Sequence, residues 1–271
     1  MFGSFTGFWI KLRRPALLLG TYGALAAVAA LITTVTFVYA TATPSATTTN
    51  GPGGGPPGAG TTTAELAQSS GLLAGLTGAI SLLGIVAVCI AASQLAGEYS
   101  QGTLRNLLIR RPQRLQLLGG AWAAVVTFMV GAVVVAAAAA AVTALVVAPM
   151  EGISTAAWFT PSGWSASWSA LGESALAITG YTLLGAVLGL VMRAPVAAVA
   201  VGVGWLLALE NVLAGVISGS GRWMPGRLLS AIAAGGSSDA GLSTALATSG
   251  AYLAIALASA AVLFSRRDVT T

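Results

Sequence analysis

The chain has 271 residues, of which 56% are hydrophobic and only 7% charged, and its mean hydropathy is +0.88. A soluble domain carries about 25% charged residues, so this composition excludes an ordinary water-soluble fold and points to one polytopic membrane domain spanning 1–271. Histidine is absent, Cys89 is the one cysteine and the net charge is +5: the commonest general base and metal ligand are missing, an intramolecular disulfide is impossible, and arginines beside apolar runs do not form a nucleic-acid face.

A membrane-spanning helix needs about 20 predominantly apolar residues, and six such stretches follow along the chain. The chain opens with MFGSFTGFWIKLRRP, where Phe2, Phe5, Phe8 and Trp9 lie at helical spacing ahead of a cationic patch. This predicts a helix over 1–14 lying in the membrane interface. The first crossing covers about 16–40; its apolar run exceeds the roughly 7–15 residues of a signal-peptide core, which marks it as an anchor. Residues 41–70 contain TPSATTTNGPGGGPPGAGTTT, which has almost nothing to bury and reads as a flexible extracytoplasmic loop. The second crossing covers 71–96, with Cys89 inside it.

Residues 98–114, EYSQGTLRNLLIRRPQR, hold four of the twelve basic residues. Arginine at a bilayer centre costs roughly 2.5–3.5 kcal/mol on insertion scales, so this stretch lies outside the hydrocarbon. Leu104, Leu107 and Leu108 recur at i, i+3 and i+4 and Pro112 ends the pattern, which describes a short amphipathic helix whose leucines face either lipid or a groove on another protein.

The third crossing, 115–148, is longer than a perpendicular span requires and implies a tilt or an extension. The loop near 149–170 carries Trp158, Trp164 and Trp168, placed as an interfacial aromatic belt. The fourth and fifth crossings cover 171–192 and 196–217. Glu210 and Asn211 lie about fifteen residues into the fifth, or roughly 22 Å along it. A carboxylate at that depth is either part of a functional pathway or held structurally, by an interhelical hydrogen bond or by Arg222 or Arg227 folding back. A short helical piece around 225–234 is too short to cross, and the sixth crossing covers 242–264. The GxxxG matches at 71–75 and 185–189 read as helix packing in a chain with 35 glycines.

Six crossings put both termini on one side. Lys11, Arg13, Arg14, Arg105, Arg110, Arg111, Arg114, Arg193, Arg266 and Arg267 share that side, and only Arg222 and Arg227 fall opposite. Basic residues concentrate in cytoplasmic loops, so both termini and the 98–114 loop are expected in the cytoplasm of a bacterial cell, with the protein multi-pass in its plasma membrane.

Glu98, Tyr99, Gly102, Thr103, Leu104 and Arg105, followed by Leu107, Leu108, Pro112 and Arg114, form an acid-Tyr-x-x-Gly-Thr-Leu-Arg pattern with Leu-Leu and Pro-x-Arg behind it. Between the second and third of six crossings, this pattern resembles the permease subunit of type 2 ABC exporters. The basic N-terminal helix, the long third crossing and the short helix before the sixth are similar too. The resemblance implies an all-α membrane protein whose 98–114 loop forms a coupling helix, with Glu98, Tyr99, Gly102, Thr103, Leu104, Arg105, Leu107 and Leu108 docking on a separate ATP-binding subunit. It also implies two permease copies, alike or paralogous, with two ATPases. No cofactor is then expected on this chain, and ATP and Mg are expected on the partner; a P-loop motif, GxxxxGK[ST], is absent from the sequence.

An exporter subunit is expected to lead a hydrophobic or amphipathic drug, lipid or peptide past Glu210 and Asn211. A secondary transporter would need ion-coupling acids or broken helices at mid-membrane and an internal repeat; only Glu210 qualifies, and the sequence shows no repeat. An intramembrane enzyme lacks a catalytic constellation. A membrane scaffold or immunity protein remains compatible with the residues.

Overall fold

The computed structural model describes residues 2–40, 61–100, 114–217 and 219–266. Its helices are α1 (Phe2–Leu12), α2 (Pro15–Val38), α3 (Thr63–Leu66), α4 (Ala74–Ser100), α5 (Arg114–Met150), α6 (Pro161–Met192), α7 (Pro195–Val203), α8 (Glu210–Val216), α9 (Pro225–Ala233) and α10 (Leu242–Arg266). Among the described residues there is no strand, only an isolated bridge between Gly236 and Gly241. Six segments are long and apolar enough to cross a membrane: Pro15–Val38, Gly71–Glu98, Gln116–Met150, Pro161–Met192, Pro195–Val216 and Leu242–Phe264. This is the architecture of a multi-pass membrane protein.

The coupling helix expected within 98–114 falls almost wholly on residues 101–113, outside the described residues.

Helices α4 and α6 are the most enclosed and pack chiefly on each other, whereas α10 and the 195–216 segment expose most of their surface. Glycine makes the α4–α6 contact possible. A Cβ on Gly185 or Gly189 would sit 2.5 Å from the backbone oxygen of Val88 or Ala92, so the two backbones touch where a side chain would separate them. The main apolar core runs through Leu76, Leu83, Phe128, Ile178 and Leu229, and α2 lies against α5 with Tyr22 stacked obliquely on Phe128.

The fourth crossing begins ten residues before its expected start. Thr160 caps α6 by accepting the Gly163 N–H at 3.1 Å, and Pro161 takes the first helical position, where its missing N–H costs nothing. Trp164 and Trp168 therefore stand on a helix, exposed to the surroundings, rather than in a loop.

Two expectations for the loops are corrected. Residues 61–70 are structured: Thr62 and Glu65 form a reciprocal capping box at the start of α3, satisfying two backbone donors at once. Trp158 is only 1% exposed and belongs to no interfacial belt. Its indole N–H donates to the Leu66 carbonyl at 3.0 Å, and its ring meets Phe37 edge-on; a buried indole needs an acceptor for its N–H, which the end of α3 supplies. The rest of the expected 41–70 loop, residues 41–60, lies outside the described residues.

Candidate functional site

Two places carry polar chemistry within the apolar bundle, one at each face. At the face bearing α1, the Lys11 Nζ donates to Glu98 Oε1 at 2.7 Å. Lys11 lies in the last turn of α1 and Glu98 stands two residues before the end of α4, so one ion pair joins the N-terminal helix to the point where the 98–114 loop leaves the bundle. The Glu98 side chain is 9% exposed and that of Lys11 43%. Phe8 adds to the junction, its ring 5.7 Å from the Lys11 ammonium, within the range of a cation–π contact.

Of the residues expected to dock a partner, the structure thus places Glu98. Tyr99 lies in the last turn of α4, while Gly102, Thr103, Leu104, Arg105, Leu107 and Leu108 lie outside the described residues.

At the distal face, the segment from Pro195 to Val216 is not one continuous α-helix. Between α7 and α8, residues Gly204–Leu209 adopt π register, and the Glu210 N–H donates to the Trp205 carbonyl five residues back. Such turns are rare and concentrate at functional sites. Here the turn brings two side chains together: the Trp205 indole N–H donates to Glu210 Oε1 at 3.0 Å.

Glu210 is 3% exposed and has two further donors. The backbone N–H of Gly226 reaches Oε1 at 2.9 Å and that of Arg227 reaches Oε2 at 3.1 Å. Gly226 and Arg227 occupy the first turn of α9, whose free N–H groups and dipole favour a negative charge. The carboxylate of the fifth crossing therefore caps a different helix. The second residue of that helix has to be glycine because of the same contact: a Cβ on Gly226 would lie 2.6 Å from Glu210 Oε2. On its other side the Gly226 carbonyl accepts the Tyr181 hydroxyl from α6 at 2.6 Å. One residue, Gly226, thus binds the fifth crossing through its N–H and the fourth through its carbonyl.

Beside this junction opens a cleft of about 860 Å³ between α4, the 204–211 segment and α9. Its apolar wall includes Ile80, Leu82, Ile85 and Leu206; its polar wall includes Asn211, Arg227, Ser230 and Asp239, and Glu210 lines it. Cavities of a few hundred to a thousand Å³ with mixed walls are the usual size of small-molecule sites. Asn211 is exposed and donates to the Leu207 carbonyl at 2.6 Å, so it shares the cleft with Glu210 but not its hydrogen bonds.

Sequence reasoning located Glu210 as an anomaly held either by an interhelical hydrogen bond or by the side chain of Arg222 or Arg227, and the first of these is what the structure has. The partners are two backbone N–H groups and an indole; among the described residues no guanidinium forms an ion pair with it. Tyr181 carried no sequence signal of its role. Pro225 at the head of α9, followed by Gly226, was the available hint that a helix N-terminus faces the fifth crossing.

No curated protein and no solved structure matches the chain. One family model does, over residues 57–270, a span that includes Glu98, Tyr181, Glu210 and the cleft but not Lys11. The chain belongs to the family described as a protein of unknown function, DUF2705.

Proposed function

We propose that this chain is the membrane-spanning permease subunit of an ATP-driven exporter. ATP hydrolysis takes place on a separate ATP-binding subunit, two permeases and two ATPases form the working assembly, and the chain sits in the bacterial plasma membrane with both termini in the cytoplasm. The observation that carries this reading is the acid-Tyr-x-x-Gly-Thr-Leu-Arg pattern at 98–105, set directly between two long spans. A coupling element has to be short and continuous with the helices it moves. Glu98 belongs to the helix that enters the loop, and Arg114 opens the helix that leaves it.

Two features support the reading further. The Lys11–Glu98 ion pair ties α1 to the root of the loop, so a push there would move α1 and α4 together. The cleft at the other face supplies apolar and polar walls of a size suited to an amphipathic drug, lipid or peptide. Movement of substrate then follows alternating access, with the approach of two ATPases rocking the two permeases.

The test is association. On this reading an adjacent reading frame encodes a P-loop ATPase that the full chain binds in lipid nanodiscs, and Arg105→Ala should weaken that binding at least tenfold, about 1.4 kcal/mol. Absence of binding by the parent chain to such a subunit contradicts the proposal.

A further inference from the structure

The fifth crossing contains a feature that neither membrane insertion nor packing requires. Six residues in π register, Gly204–Leu209, interrupt a segment otherwise α-helical from Pro195 to Val216. Trp205 and Glu210 are five residues apart. In an α-helix five residues turn through roughly 500°, leaving the two side chains about 140° apart around the axis. The i→i+5 register is what puts the indole N–H on the carboxylate, and with it the carboxylate on the N-terminus of α9.

We propose that the π turn and Glu210 together form a two-position latch on α9. In the π position Glu210 holds the N–H groups of Gly226 and Arg227, and α9 closes one wall of the cleft. When the turn relaxes to α register beyond Trp205, every following residue rotates by about 100° about the helix axis. Glu210 leaves Gly226 and Arg227, and the N-terminus of α9 keeps its tie to Tyr181 while Leu228, Leu229 and Ile232 stay packed in the core. The released carboxylate does not face bare hydrocarbon, because Glu210 and Asn211 already border the cleft and the Arg227 side chain lines it too. The Arg227 guanidinium already acts on Glu210 through space without a direct ion-pair contact, and it stays beside the cleft as a partner for the freed carboxylate. Each position of the switch therefore gives the buried charge a partner.

The latch is a property of this chain alone, so it is tested without an ATPase or a substrate, and its failure leaves the exporter reading standing. Amide hydrogen exchange of peptides covering 225–233 is followed in the full chain in lipid nanodiscs, with peptides from α4 and α6 reporting on the integrity of the core. Glu210→Ala removes the latch and is expected to speed exchange in α9 at least tenfold while leaving α4 and α6 unchanged. Deletion of Ala208 has the opposite effect. It converts five-residue spacing to four, so Trp205 and Glu210 stay on one face of an α-helix that has no second register to adopt. Exchange in α9 should then slow at least threefold.

If Glu210→Ala is not recovered folded, Glu210→Asp replaces it with the same expected direction, since a shorter acid cannot span to both N–H groups. Leu207 deletion is the equivalent shortening should loss of Ala208 not be tolerated. Changes of the same sign in the two variants, or no change in either, overturn the latch.

Discussion

Trp158 shows how much a single polar atom can decide in an apolar molecule. Its N–H satisfies the Leu66 carbonyl across 92 residues of chain, and a buried acceptor left without its donor costs about 1–3 kcal/mol. Trp158→Phe should therefore lower the thermal midpoint in detergent by that order of stability, whereas Trp168→Phe, on an exposed face, should not shift it. Gly185 makes a second case. The atom that a Cβ would strike belongs to the backbone of α4, which cannot swing aside as a side chain can. Gly185→Ala is expected to destabilise by about 1–3 kcal/mol, while Gly172→Ala, inside α6 with open space around it, should stabilise by up to about 1 kcal/mol in the same melting experiment.

Elements differ in how openly the sequence declares them. The six spans are legible because hydrocarbon demands long uncharged runs and tolerates no substitute. The early start of α6 was legible as well, in the Thr160-Pro161 pair, but Trp158, Trp164 and Trp168 were read together as one interfacial loop. Thr62 and Glu65, three residues apart, likewise formed a readable capping box inside a stretch whose glycines and prolines dominate the eye. The π turn was not legible. Register is set by what Glu210 can reach, and its partners on α9 lie sixteen and seventeen residues further along the chain. The sequence allowed an interhelical hydrogen bond to the buried acid but could not name its donors, which are backbone N–H groups of a neighbouring helix and carry no side-chain signal. At the other face, α1 and α4 are joined by Lys11 and Glu98, and a double-mutant cycle on thermal stability should give a coupling of about 0.5–3 kcal/mol for residues in direct contact. Additive effects of Lys11→Ala and Glu98→Ala would show that the pair carries no energy.

At the scale of the whole molecule, the proposed orientation rests on ten basic residues against two and on the positive-inside bias. With Cys89 replaced by serine, a cysteine at Ser45 should react with a membrane-impermeant thiol reagent in intact cells, and one at Ser265 only after the membrane is opened. The reverse pattern would invert the molecule and put the 98–114 loop out of reach of any cytoplasmic ATPase. In the proposed orientation the molecule has one charged junction inside, at Glu98, and one latched cleft outside, at Glu210, connected by α4, which contributes Glu98 to the first and Ile80 to the second. The most direct test of this arrangement is the rate of ATP hydrolysis by a reconstituted complex of this chain with the P-loop ATPase proposed as its partner. Hydrolysis should be stimulated by the parent chain and fall at least tenfold toward the rate of the free ATPase with Glu98→Ala or Arg105→Ala; equal rates and equal association for parent and variants would contradict coupling through residues 98–114.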